Sequence, residues 1–194
     1  FPLLFFKRIS DVYDEEYKTA LEESDRDTDY ASLPEMHRFE VPENCHWLNV
    51  RETTVNVGTA IQNALRDIEQ ANQEHLYGIF GDAQWSNKNK LPDELLINLI
   101  EHFSQYTLGN ENVDPDMLGR AYEYLIKHFA DLTNKKAGEF YTPQQLSTIL
   151  SEIVTLDSQN PKAGKKKKIN KVLDFACGFG SLLLNVKSKI EKAG

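Results

Sequence analysis

The sequence predicts an α-helical N-terminal domain over residues 1–135, followed over 136–194 by the beginning of a doubly wound α/β domain. Three observations lead there. To about residue 135, apolar side chains recur at three- and four-residue spacing, the period of a helix with one buried face, and no internal repeat is evident. Then the pattern changes. Val172-Leu173-Asp174-Phe175-Ala176-Cys177-Gly178-Phe179-Gly180 reads as a buried strand entering a glycine turn, with a carboxylate just before the turn. A last helical pattern starts near Ser181, completing the helix–strand–turn–helix order in which such α/β domains open.

The first helix is expected over residues 1 to about 23, with Leu3, Phe6, Val12, Tyr13 and Tyr17 recurring on it. Asp11, Asp14, Glu15, Glu16, Glu22, Glu23, Asp25, Asp27 and Asp29 crowd the first thirty residues. They read as a solvated helix face running into a loop, with a site for a basic partner as the alternative. Residues Ser24 to Asn44 are polar and broken by Pro34 and Pro42, a loop or irregular excursion. A second helix covers about Val55 to Asn72, with Val57, Ile61, Leu65 and Ile68 on one face.

Leu91-Pro92-Asp93-Glu94 is a helix start: proline suits the first helical position, and acids there complement the helix dipole. Leu95, Leu96, Leu99, Ile100 and Phe103 are its expected buried side. Asp114-Pro115-Asp116 opens another helix by the same chemistry, carrying Leu118, Ala121, Tyr122, Leu125, Ile126 and Phe129. Thr142-Pro143-Gln144-Gln145 fits a helix cap with proline at the first position and a capping-box glutamine at the third. Leu146, Ile149, Leu150, Ile153 and Val154 then supply an apolar face. A polar linker from Asp157 to Asn170 follows, holding Pro161, Gly164 and Lys165 to Lys168. That lysine run reads as a solvated loop, with contact to a phosphate or an acidic partner as the alternative.

With 194 residues the chain has room for one good core, or for one complete domain and part of another. Its 40% hydrophobic and 27% charged residues are those of an ordinary globular protein. The formal charge of −8 argues against a freestanding nucleic-acid binder held by electrostatics alone. Cys45 and Cys177 suggest no disulfide framework and point to a reducing cytoplasm. The Cys45-His46 pair has no second Cys/His cluster to complete a metal site, so a buried thiol beside a surface imidazole is expected and no metal. His37, His46, His75, His102 and His128 have no partner at catalytic spacing and receive no role. The apolar start Phe1 to Phe6 is interrupted by Lys7 and Arg8, too early for a membrane span, and lacks the features of a signal peptide. Since the first residue is not methionine, the chain is expected to start inside a longer protein.

The glycine turn is where the sequence points to chemistry. A ligand on an open parallel sheet lies over the first strand-to-helix turn, where glycine takes positive φ and lets the ligand approach the backbone. Gly178 and Gly180 supply that. Leu183 stands where a dinucleotide fingerprint has its third glycine, and no Gly-Lys-Ser/Thr end makes a phosphate loop. S-adenosylmethionine (SAM) carries no phosphate, so a shorter glycine turn with a preceding acid suits it, Asp174 ordering the loop or lying near the cationic methionine end. Two glycines also serve merely to turn a chain. Upstream, Gly138-Glu139-Phe140-Tyr141-Thr142-Pro143 places two aromatics before a capped helix. They form either a wall beside the adenine or methionine moiety or a hydrophobic staple for the helix at Pro143.

In combination these segments resemble the modification (methyltransferase) subunit of type I restriction-modification systems, a family of DNA adenine-N6 methyltransferases. Leu118-Gly119-Arg120-Ala121-Tyr122-Glu123-Tyr124-Leu125-Ile126, then Gly138 to Pro143, then Asp174 to Gly180 keep the family's order and rough spacing. Leu4-Phe5-Phe6-Lys7-Arg8-Ile9-Ser10-Asp11 looks like its first-helix signature, so the resemblance spans nearly the whole chain. It implies a helical domain that helps grip DNA and contacts partners, joined to a Rossmann-like SAM-dependent methyltransferase domain. By similarity, Glu139, Phe140, Tyr141, Thr142, Pro143 and Gln144 line the SAM pocket with Phe179, Gly180 and Ser181, while Asp174 and Gly178 shape it. The implied partners are DNA, a second modification subunit, one specificity subunit that reads the DNA, and a restriction subunit that joins some assemblies.

Two departures bear on function. Phe179 stands between the glycines where the family usually has a small residue. The catalytic Asn-Pro-Pro-aromatic motif, which engages a base flipped from the duplex, is absent. Asn160-Pro161-Lys162-Ala163 is only a near miss in the linker, and the acidic residue expected to bind the ribose hydroxyls is missing too. No catalytic residue is assigned, and the chain alone is expected to be inactive. The competing readings are a noncatalytic interaction module and a SAM-dependent methyltransferase acting on a protein or small molecule.

Overall fold

The computed structural model describes residues 1–113, 117, 119–121, 124–125, 128, 142, 144–159, 169, 171–175, 177 and 180–192. The chain divides into two compact units, Phe1–Met117 and Leu118–Gly194.

In the first unit α1 spans Pro2–Glu23, its proline in the first turn where a missing N–H costs nothing. Short helices α2 (Thr28–Ala31) and α3 (Trp47–Arg51) follow, separated by a 3-10 turn at Pro34–Met36. The stretch expected to be an irregular loop thus holds two turns of helix, the first capped by the Asp27 carboxylate, which accepts from the Asp29 and Tyr30 N–H groups. Then come α4 (Val57–Ala71), α5 (Gln73–Leu76) and α6 (Asp93–Ser104). Leu3, Phe6 and Ile9 of α1 join Val57, Ile61, Leu65 and Ile68 of α4 and Leu96 and Ile100 of α6 in one core. Trp47 is fixed inside it by two hydroxyls: its backbone N–H donates to Ser10 Oγ at 2.7 Å and its indole N–H to Ser104 Oγ at 2.8 Å.

Three expectations are corrected here. Pro92 is not the first residue of α6 but its N-cap, one position earlier. Leu95 is 45% exposed, because the core contact falls on Leu96 and Ile100. The Asp93 carboxylate also does more than complement a dipole: it accepts from the Asn56 and Val57 N–H groups, both at 3.1 Å, and so caps the start of α4. Asn56 stands there in the left-handed region (φ +56°), without a side-chain cap of its own.

The charges of α1 are the larger correction. Asp11 is buried and Glu15 half-buried; with Arg8 they form a polar seam against residues 108–113. The Arg8 guanidinium donates to the carbonyls of Leu108, Gly109 (2.7 Å) and Val113 (3.2 Å) and to Asn110 Oδ1 (2.6 Å). Asp11 accepts from the Leu108 N–H at 2.7 Å, and Glu15 from those of Asn110 and Glu111. A segment with no ladder of its own must find partners for its backbone groups, and these three side chains, three and four residues apart, provide them on one helical face. A Cβ at Gly109 would overlap the Glu15 carboxylate, so a larger residue there needs the end of that flexible side chain to shift. The other acids between Asp14 and Asp29 are exposed or half-buried, as a solvated face would be.

The helix expected from Asp114 falls only partly on described residues, of which 117, 119–121, 124, 125 and 128 are helical. In the second unit α7 (Gln144–Gln159) packs on α8 (Ser181–Lys192). The contact face of α7 is not its apolar one. Ser147, Ser151 and Thr155, four residues apart, are fully buried, whereas Leu146, Ile149, Leu150, Ile153 and Val154 all remain exposed. Small side chains let two helices approach closely, and their hydroxyls find partners: Ser147 Oγ accepts from Asn185 Nδ2 at 2.8 Å, and Thr155 Oγ donates to the Ser151 carbonyl. Residues 171–174 are not a buried strand. Among the described residues no strand occurs, and Leu173 and Phe175 are 88% and 96% exposed. A strand exists only through the ladder it shares with a neighbour, and no neighbour is present among these residues. None of the described helices is long and apolar enough to cross a membrane.

Candidate functional site

Gly180 holds φ at +79°, a conformation that L side chains rarely adopt. Its N–H donates to the Cys177 carbonyl at 2.7 Å, closing a tight turn, and its own carbonyl accepts from Leu184 N–H at 3.0 Å in the first turn of α8. A Cβ built at Gly180 would meet no atom within 4 Å, so glycine is needed for the backbone angle and not for room. Ser181, half-buried, is the first residue of α8, and Asp174, also half-buried, precedes the turn. Thr142 is exposed just ahead of α7, and Gln144 opens that helix. Glu139, Phe140, Tyr141, Pro143, Gly178 and Phe179 lie outside the described residues, as do the lysine run at 165–168 and the near-miss Asn160-Pro161.

The two sequence-predicted clusters converge through the pairing of their helices. Ser147 bonds Asn185, and Glu152, one turn further along α7, pairs at 2.7 Å with Lys189, one turn further along α8. The helices therefore run parallel. Their N-termini share one end of the pair, which brings Thr142 and Gln144 to the same end as Gly180 and Ser181. Each N-terminus carries the positive pole of its helix. Asp174 lies six residues ahead of Gly180 in the sequence and is half-buried.

In the first unit His37 and His46 both pack on Tyr13. Burial pushes the Cys45 thiol up, and Asp67 adds to that, so its thiolate is disfavoured. His46, expected at the surface, is half-buried edge-on to Tyr13, and burial pushes its imidazole down. The His37 ring stacks on Tyr13 with centroids 3.8 Å apart. Among the described residues no group of three or more His, Cys, Asp or Glu side chains is placed to hold a metal ion.

Comparison with known proteins agrees with this division. Residues 1–103 match the family model of the HsdM N-terminal domain, and residues 113–194 match that of the N-6 DNA Methylase family. The MpnII methylase subunit of a type I restriction enzyme from Mycoplasma pneumoniae is 32% identical over 159 residues, covering 74% of this chain and 28% of that protein. The MjaVIII methylase subunit from Methanocaldococcus jannaschii is 31% identical over 195 residues, covering 93% of this chain and 30% of the relative. The HindI methylase subunit from Haemophilus influenzae is 26% identical over 136 residues, covering 68% and 28%. The chain thus spans less than a third of the length of these relatives. One family model alone covers more than half of its 194 residues, and the chain belongs to the HsdM family, the methylase subunits of type I restriction-modification systems.

Proposed function

We propose that the chain is part of a modification subunit that transfers a methyl group from SAM to adenine N6 in DNA. In this reading residues 1–135 form the helical domain that contacts DNA and partners, and residues 136–194 begin the Rossmann-like methyltransferase domain. The observation that carries it is the parallel pairing of α7 and α8, which sets the Thr142 and Gly180 turns at one end. Glu139 to Gln144 and Phe179 to Ser181 line the cofactor pocket, with Asp174 and Gly178 shaping it.

When bound, SAM supplies an electrophilic methyl group on its sulfonium. The residues of this chain bind and orient it. The helix ends receive its carboxylate, Asp174 lies near its cationic end, and the Gly180 turn lets it approach the backbone. Displacement at a methyl group needs alignment and exclusion of water rather than a covalent nucleophile. The groups that engage the target amine belong to an Asn-Pro-Pro-aromatic motif, which this chain does not contain. DNA, a specificity subunit, a second modification subunit and a restriction subunit are the partners of the assembled enzyme.

The test is titration calorimetry of SAM into the full-length subunit carrying Gly180→Val or Asp174→Ala, with the fold checked by circular dichroism. Both variants are expected to weaken binding. Unchanged affinity in a folded variant removes the glycine turn from the site. The chain of 194 residues alone is expected to methylate no DNA, and tritiated methyl incorporation above background contradicts that.

A further inference from the structure

Between α4 and the loop after α5 lies an open trough of about 620 Å³. Leu65 and Phe80, both buried, form its floor, with Trp85 beside them. The trough is built by specific residues. Gly58 lets the Trp85 carbonyl sit against α4, where any Cβ would overlap it. Gly78 and Gly81 hold φ at +71° and +67° with open space around both, so they serve the shape of the backbone alone. The loop closes on itself through Ile79 N–H to the Leu76 carbonyl and Gly81 N–H to the Gly78 carbonyl. It is tied to α4 by Glu69, which accepts from Gly78 N–H at 3.0 Å. This frame holds Tyr77 at the edge of the trough, 86% exposed.

The charges of the trough decide its ligand. Arg66, its one cation, is already engaged by Asp67 at 3.0 Å. Asp82 also lines the trough and has no partner among the described residues. Two carboxylates, Glu69 and Asp82, against one guanidinium that also faces Asp67 leave an excess of negative charge, which disfavours a phosphate backbone and attracts a cation. The aromatic faces of Tyr77 and Trp85 favour a cation as well, through their ring quadrupoles.

We propose that this trough docks an extended segment of a partner protein through one Arg or Lys side chain, read by Tyr77, Trp85 and Asp82. The shape calls for a polypeptide rather than a free small molecule. From Gln62 to Gln70 the trough follows α4 for about 12 Å, the reach of roughly four extended residues. Gln62, Gln70, Gln73 and Gln84 along it offer amide donors and acceptors that suit a peptide backbone. Tyrosine, tryptophan and arginine, which dominate binding energy at protein interfaces, are all present.

The experiment is an NMR titration of the 15N-labelled chain with the probe acetyl-Gly-Leu-Arg-Leu-Gly-amide, and with the same peptide carrying Glu in place of Arg. The arginine peptide is expected to give saturable shifts at the Tyr77, Gln84 and Trp85 resonances, including the Trp85 indole, and the glutamate peptide none. Tyr77→Ala and Asp82→Asn, both at exposed positions, are each expected to weaken binding about fivefold without changing the rest of the spectrum. The proposal is overturned by equal shifts with both peptides, by no shifts with the arginine peptide, or by a single-stranded oligonucleotide occupying the same residues.

Discussion

Arg8→Met keeps most of the aliphatic stem of a side chain that is only 8% exposed and removes its guanidinium from the seam between α1 and residues 108–113. The carbonyls of Leu108, Gly109 and Val113 and the Asn110 side chain lose one charged donor together. A hydrogen bond from a charged group contributes about 1.5–3 kcal/mol, but these acceptors partly rehydrate, so the net cost is about 3 kcal/mol rather than a multiple of it. With a urea dependence of about 2 kcal/mol per molar, the unfolding midpoint falls by about 1.5 M. The local readout is hydrogen exchange. The Leu108, Asn110 and Glu111 amides, held by Asp11 and Glu15, are expected to lose protection in the variant while core amides such as Ile61 keep theirs relative to global unfolding. A midpoint shift below about 0.3 M with protection intact at these three amides would refute the seam as a stabilising contact.

Ser151→Leu forces a large side chain into the fully buried α7–α8 contact and is expected to cost about 2 kcal/mol by overpacking, read as a lower thermal midpoint. Ile153→Glu, on the opposite and 65% exposed side of the same helix, is expected to change stability by less than about 0.5 kcal/mol although it looks the harsher substitution. The Asp93 carboxyl is held below the usual carboxylate range, first by its bond from Lys88 and also by the Asn56 and Val57 N–H groups. Its folded value lies below its unfolded one, so its stabilisation is fully present above about pH 4 and is lost as pH falls through the folded value. Urea midpoints measured from pH 7 to pH 3 are therefore expected to fall less steeply at the acid end for Asp93→Asn than for the native chain.

Helix α1 was legible because its apolar period runs over many turns, as were α4 and α6, and the predicted face of α4 is the buried one. Helices α3 and α5, of five and four residues, are too short to show a period. The role of Arg8, Asp11 and Glu15 was hidden for another reason. Counting charges shows how many there are, not that a distant loop offers unpaired backbone groups to receive them. In α7 the helix was legible, though it runs to Gln159, three residues into the stretch read as a linker from Asp157, and its contact was not legible. The leucines and isoleucines announce an apolar face, but periodicity does not say which side meets the neighbouring helix, and here the hydroxyl side does. At the candidate site, the positive φ of Gly180 follows from a glycine just ahead of a helix. The parallel α7–α8 arrangement does not follow from sequence, because it depends on Ser147 meeting Asn185 across 38 positions. The strand entering the glycine turn was read from the apolar run that begins at Val172, and such a run describes what a ladder would accept without supplying one.

The serine–threonine stripe of α7 has a thermal consequence. Heat-capacity change on unfolding comes from newly wetted carbon and is reduced by newly wetted polar surface. Among the described residues, separating α7 from α8 wets Ser147, Ser151 and Thr155 beside buried Val186, with Leu182, Leu183 and Ile190 of α8 half-buried, whereas opening the core around Phe6, Ile61 and Leu96 wets mostly hydrocarbon. The stability of the first unit should therefore follow a more strongly curved dome with temperature than that of the α7–α8 contact. Cooling, which weakens the oil-like core, should leave the hydroxyl-lined helix pair comparatively untouched.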